Sequence, residues 1–348
     1  MRRRSLLSAS ALALTAGALS ACGPAITGRD AGGSGSGSGG GAGAASGTVR
    51  VGHLPSSLFA PLYIADAQKR FADAGITLEL VPLKSGQDGV PMLASGKLDV
   101  MVAGFSAGMF NALAEGLAFK IVGSMGISPG DPEASPTALM ARQALIEDGT
   151  ITSVAGLAGH KIAVAGGAGA TGGYLLASML EGEGLTLKDV EVVNLATPDQ
   201  QAALQNGSVD AATPSAPFST AIAEAGIATT VAVPRQGTTG TGVVYSEQFL
   251  GVELAQPFFT ALTQGAQQLT TDGPQTDEVY DILAAATGQK VEVLRASPMY
   301  TYLPDLAPQP EQLDAMQNVW LDAGLITAAQ PVTIADVVDA RFAQGARG

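Results

Sequence analysis

The sequence predicts an α/β fold in two lobes, each an open, mostly parallel sheet flanked by helices, with the chain crossing twice between them. Three observations carry this. Short β-rich apolar runs alternate with stretches of helical spacing, and the alternation comes in two separate sets. An isolated apolar run at residues 137–142 (TALMAR) stands between the sets, and another at 241–246 (TGVVYS) follows the second. Two such runs are what a lobe inserted into another lobe requires.

The first set opens at residues 48–54 (TVRVGHL), a β-rich run. Residues 61–74 follow with helical spacing in Leu62, Ala65 and Phe71, and Gly75 stops that helix before the strand 76–82 (ITLELVP). The set continues with a helix over 89–94, the strand 98–103 (LDVMVA), a helix over 106–115 and the strand 119–124. Strands separated by helices in this way imply parallel pairing with helices on both faces.

The second set places strands at 161–165 (KIAVA), 190–194 and 209–212, with helices over 171–183 and 198–206. Residues 48–141 are therefore the first part of lobe 1 and residues 142–240 are lobe 2. Residues 241–348 return to lobe 1 and end in helices, where apolar side chains including Trp320 serve the core.

Ahead of the lobes lies a different kind of sequence. Arg2, Arg3 and Arg4 precede an apolar stretch at 6–17 that is too short to span a bilayer, the pattern of an export signal. It ends in Leu19-Ser20-Ala21-Cys22, which resembles the lipobox of bacterial lipoproteins, so residues 1–22 read as a leader and Cys22 as a lipidation site. Cys22 is the single cysteine, which rules out an internal disulfide. Residues 23–47 are mostly Gly, Ser and Ala, a flexible tether with a reach of roughly 25 Å. The expected location is the outer face of the cell membrane, held by lipid.

Composition narrows the partners. The formal charge is −13, and setting aside the three leader arginines takes it to −16, which makes nucleic acid a poor partner. Only His53 and His160 are available as imidazoles, no mature thiol is free, and carboxylates such as Glu181, Glu183 and Asp189 are scattered, so no nucleophile–base pairing or metal cluster emerges. Neither enzymatic activity, cofactor nor metal is expected.

The run Gly167-Ala168-Gly169-Ala170-Thr171-Gly172 fits G-x-G-x-x-G between a strand and a helix, the pattern of a dinucleotide site. That site also needs an acidic residue closing the next strand, and here Asn194 and Leu195 stand there. The preferred reading keeps the exposed backbone N–H groups and the helix start at Thr171 but gives them a polar or anionic ligand. A tight turn without ligand is the alternative.

The stretch VGHLPSSLFAPLYIADAQKRFADAGITLELVPLKSGQDGVPMLASGKLDVMVAG resembles the first lobe of the nitrate, sulfonate, taurine and thiamine-precursor group of ABC substrate-binding proteins. LAGHKIAVAGG and VVNLATPDQQAALQNGSVDAA are similar to the second lobe of that group, and the resemblance runs from about residue 48 to 248. It implies the type II periplasmic-binding-protein fold, closing like a hinge on a small-molecule ligand, with an ABC permease as partner and a monomeric binding protein.

Ligands of open α/β sheets bind at the carboxyl ends of the strands, which selects the loops at 53–60, 84–88, 104–106, 166–171 and 213–218. Candidate ligand-binding residues are Ser56, Ser57, Phe59, Ser85, Gly86, Gln87, Gly104, Phe105, Ser106 and Thr137 from the first lobe and its crossing. From the second they are Gly167, Ala168, Gly169, Ala170, Thr171, Ser215 and Phe218. Each serine also suits a helix cap. Lys84 reads as a solvated surface residue and His53 as a packed one.

Departures limit the ligand. Thiamine-precursor binders resemble W-x-P-N near the first loop and carry an aromatic residue and a Glu before the proline of the last. Here His53-Leu54-Pro55-Ser56 and Ser215-Ala216-Pro217 stand instead, which argues against a pyrimidine. The cysteine-rich signature of the yeast relatives that make a thiamine pyrimidine is also missing. The function expected is an exported solute-binding protein that takes a small polar or anionic organic molecule to an importer. A sensory or scaffold lipoprotein and an exported hydrolase are the alternatives.

Overall fold

In a computed structural model, the structure describes residues 45–271 and 276–347; the leader, Cys22 and nearly all of the tether lie outside them. Two five-stranded sheets organise the described chain. The first is built from β1 (Gly47–His53), β2 (Ile76–Pro82), β3 (Val100–Gly104), β4 (Phe119–Ser124) and β10 (Thr241–Ser246), in the order β2-β1-β3-β10-β4. The second holds β5 (Leu139–Arg142), β6 (Lys161–Val164), β7 (Glu191–Asn194), β8 (Ala211–Ala212) and β9 (Ala228–Ala232), in the order β7-β6-β8-β5-β9.

In each sheet one strand runs against the rest: β10 is antiparallel to β3 and β4, and β5 is antiparallel to β8 and β9. The pairs β1–β2, β1–β3, β6–β7 and β6–β8 are parallel. The two lobes thus repeat one topology, and the mostly parallel, two-lobed α/β architecture expected from the alternation is what the chain adopts.

The strands are apolar on both faces because helices cover both. Val100 and Val102 of β3 and Val243 and Tyr245 of β10 enter one core, while Met101, Ala103 and Val244 enter the other, the period of two that a strand imposes. In the second sheet Leu139 and Ala141 face one way and Met140 the other. The covering helices in the first half are α1 (Ala60–Ala67), α2 (Arg70–Asp73), α3 (Gly86–Ala94), α4 (Ala107–Ala114), α5 (Gln143–Glu147), α6 (Thr171–Leu180), α7 (Thr197–Asn206) and α8 (Phe218–Glu224). Then come α9 (Glu247–Leu250), α10 (Ala255–Thr271), α11 (Asp277–Thr287), α12 (Val291–Ala296), α13 (Pro310–Asp322), α14 (Ile334–Val337) and α15 (Arg341–Gly345).

Two expectations change. The single helix over 61–74 is two, broken at Lys69, whose φ of 60° is left-handed. The break turns Phe71 into the core, where it is 1% exposed and its ring lies 5.0 Å from that of Phe258. The runs at 137–142 and 241–246, read as the crossings, are largely strands: Leu139–Arg142 is β5 of the second sheet and Thr241–Ser246 is β10, in the middle of the first. The chain crosses just before each of them, through residues 125–138 and 233–240.

The crossings hydrogen-bond to each other. Ser128 N donates to Thr238 O at 2.9 Å and Gly237 N to Ser128 O at 3.0 Å. The Ser128 hydroxyl donates to Pro234 O at 2.8 Å, and that of Thr239 to Gly126 O at 2.9 Å. Backbone groups that would be unsatisfied between lobes are thus paired with one another.

Candidate functional site

The carboxyl ends of the two sheets meet. Thr171, the first residue of α6, donates its hydroxyl toward Phe105 O at 3.1 Å and Gly240 O at 2.9 Å. Ala107 N donates to Gly169 O at 2.8 Å, and Ser106 and Ala170 form an isolated antiparallel bridge. The approach is close enough to require glycine at 104, where a Cβ would come 2.4 Å from the Thr171 hydroxyl oxygen. Behind this contact α6 carries Tyr174 into the first lobe's core, 4% exposed beside Phe105 and Trp320. Its hydroxyl donates to Gln312 Oε1 at 2.9 Å, and burial followed by the charge of Glu181 pushes its pKa up to about 12. The lobes are closed on each other.

Where the crossings run beside this seam a cavity of about 30 Å³ remains, its surface mostly apolar, lined by the hydroxyl-bearing residues Ser128, Ser135, Thr137, Thr171, Thr238, Thr239, Thr241 and Tyr300 and by Leu58, Leu175, Pro136 and Pro234. Most of these hydroxyls are held in place by bonds of their own. Ser135 donates to Thr137 O at 2.7 Å, and Thr137 shares a 2.8 Å hydrogen bond with the Tyr300 hydroxyl. Burial pushes the Tyr300 pKa up to about 12, against the opposing effect of that hydrogen bond, so the phenol stays neutral. No Lys, Arg, His, Asp or Glu lines the cavity. Its volume suits water-sized occupants, since one water needs about 10–15 Å³, so a larger solute enters only when the lobes part.

Of the candidate residues, Thr137 and Thr171 line this cavity. Phe105 lines a smaller neighbouring one while packing in the first lobe's core at 3% exposure. Phe59, expected as a pocket wall, is a core residue at 2% exposure. The serines mostly cap: Ser56, Ser85 and Ser106 accept from Leu58 N, Asp88 N and Met109 N through their hydroxyls. Ser57 uses its carbonyl to accept from the Tyr302 hydroxyl at 2.8 Å. Gly86 packs on β3, where a Cβ would lie 1.9 Å from Gly104 O, and Gln87 is exposed.

The loop Gly167, Ala168, Gly169, Ala170 serves lobe contact: Gly166 and Gly167 turn it with φ of 80° and 75°, and Ala168 O accepts the Trp320 indole N–H at 3.0 Å. Ser215 bridges Thr137, and Phe218 starts α8 half-buried. His53 is packed, as read, with Nδ1 2.9 Å from the Tyr63 hydroxyl. Among the described residues no group of three or more His, Cys, Asp or Glu side chains is placed to hold a metal, and no helix is long and apolar enough to cross a membrane.

Sequence reading missed Ser128, Ser135, Thr238, Thr239, Thr241 and Tyr300. The cluster Thr238-Thr239-Gly240-Thr241 beside the second crossing was a usable signal; nothing around Tyr300 marked it.

Residues 56–276 match the family model described as NMT1/THI5 like. The chain belongs to that family. Solved structures share the fold of this NMT1/THI5 like chain. The alkanesulfonate-binding protein SsuA from Xanthomonas axonopodis pv. citri, bound to MOPS, is 21% identical with a TM-score of 0.64, over 85% of this chain and 100% of that one. The periplasmic nitrate-binding protein NrtA from Synechocystis PCC 6803 is 12% identical with a TM-score of 0.68, over 86% and 88%. The desulfurization enzyme DSZB is 18% identical with a TM-score of 0.59, over 86% and 98%. No curated protein sequence matches significantly.

Proposed function

We propose that this chain is an extracytoplasmic solute-binding protein that holds a small polar molecule between its lobes and delivers it to an ABC-type importer. The observation that carries the reading is the cavity where the two crossings meet the lobe seam, among whose lining residues eight bear hydroxyls, in a fold shared with sulfonate- and nitrate-binding proteins. A ligand that touches both lobes binds the closed form better than the open one and so shifts the population toward closure, which a permease can read. The leader and Cys22 support export and attachment by lipid, with the tether at 23–47 holding the lobes clear of the membrane.

The fold is also that of a desulfurization enzyme, so the fold alone does not separate binding from catalysis. The lining favours binding: it offers hydroxyls but no thiol, imidazole or carboxylate to act as nucleophile or base.

The test is a thermal-shift screen against nitrate, bicarbonate, taurine, alkyl and aryl sulfonates, thiamine precursors and flavins. A ligand at about 100 times its dissociation constant stabilises the native state by about 2.7 kcal/mol. One class raising the unfolding midpoint, with compaction in small-angle scattering, supports the reading. A ligand that binds without compaction overturns the closure mechanism. Release of a Cys22→Ser variant into the medium checks the anchor, and retention at the membrane refutes it.

A further inference from the structure

Two buried polar atoms beside the seam have no hydrogen-bond partner among the described residues: the hydroxyl oxygen of Thr241 and Nε2 of Gln309. Both line a second cavity of about 10 Å³ under the start of α13. Thr241 also lines the first cavity, so it stands in the partition between the two. It is 2% exposed.

Their neighbours are satisfied. Thr239 donates to Gly126 O, Ser124 to Ala307 O at 2.8 Å, and Gln312 accepts from Tyr174. An unpaired buried polar group costs stability that an apolar side chain of the same shape would not, so two of them on residues that line one cavity need an account. Neither cavity is lined by a charged side chain, and a buried ion without a counter-charge is unfavourable.

We infer that Thr241 and Gln309 form the polar end of an extended ligand site, reading an acceptor oxygen of an electrically neutral solute whose body occupies the first cavity once parting of the lobes has widened it. This deepens the solute-binding reading and rests on it. The second cavity, at about 10 Å³, is at the lower limit for a single water, so it is too tight for water to satisfy both groups well.

The experiment uses the full chain and the variants Thr241→Val and Gln309→Met, which keep shape and remove the unpaired groups. If the groups await a ligand, the unliganded variants unfold at a higher temperature than the native protein, by roughly 2–4 °C. An unchanged or lowered midpoint means the groups serve the fold, for instance through a resident water, and overturns the assignment.

Charge is tested with dimethyl sulfone and methanesulfonate, which share a shape and differ by one negative charge. The expected result is a larger midpoint shift with dimethyl sulfone, lost in Thr241→Val. A response to methanesulfonate that equals or exceeds it overturns the neutral-ligand assignment. The solute-binding reading fails separately, if no compound of the wider screen shifts the midpoint, because the comparison of unliganded variants needs no ligand.

Discussion

Trp320 donates its indole N–H to the carbonyl oxygen of Ala168 at 3.0 Å, so a side chain of α13 closes on the glycine-rich loop of the opposite lobe. Trp320 is the only tryptophan and is fully buried, packed edge-on against Phe110 and Tyr174 with centroids at 5.6 and 6.4 Å. Its fluorescence therefore reports the seam. Iodide is expected to quench it weakly in the native chain. Trp320→Ala should lower the unfolding free energy by about 3–5 kcal/mol in urea titration, and a loss under about 1 kcal/mol would mean that the helix does not pack there.

Thr171 joins the lobes through one hydroxyl placed near two carbonyls. Thr171→Val keeps the volume and removes the donor, at a cost of about 1–3 kcal/mol to the closed form. The open population should rise roughly 5–150-fold, seen as a larger radius of gyration in small-angle scattering. An unchanged radius would show that the other seam contacts, those of Tyr174, Trp320 and Ala107, keep the lobes together without it.

At the facing position, Gly104→Ala places a methyl 2.4 Å from the Thr171 oxygen. The expected outcome is the same opening with unchanged far-ultraviolet circular dichroism, since β3 tolerates alanine. Loss of the β signal would instead locate the requirement for glycine within the first sheet.

His53 gives the protein a pH dependence. Tyr63 donates to Leu54 O at 2.7 Å, so His53 Nδ1 carries the proton it offers to the Tyr63 oxygen, and burial holds the imidazole below its ordinary pKa of 6.5. The fold therefore keeps His53 neutral where the unfolded chain takes up a proton. Its contribution is complete above about pH 6.5 and is lost as pH falls from there through the folded-state value. Urea titrations at about pH 5.5 and 7.5 should show a stability difference that shrinks in His53→Gln; an equal difference in both proteins assigns the slope to another group.

The alternation of β-rich runs and helices made the sheets legible, because each strand is buried on both faces and reads as a continuous apolar run, as in Val100-Met101-Val102-Ala103. The candidate site was legible only in part. Among the residues read from strand-end loops and crossings, Thr137 and Thr171 line the cavity, but the caps Ser56, Ser85 and Ser106 have the same composition as ligand groups. Tyr300, Gln309 and Gln312 reach the site from a distant part of the chain through tertiary packing, and no local pattern encodes that approach.

The position of β10 between β3 and β4 sets an order of assembly. Among the described residues β4 pairs with no strand other than β10, apart from an isolated bridge of Ile121 to Val338, and the residues of the second sheet all lie between those two strands in the chain. As the polypeptide emerges from its N-terminus, the inserted lobe has its complete sheet by residue 232, while the host lobe waits for 241–246 to enter its middle. Chains ending before β10 should leave β4 unpaired and Val122 uncovered, an aggregation-prone intermediate. The inserted lobe is thus the part equipped to fold first, and the solubility of the growing chain rests on six residues that arrive late.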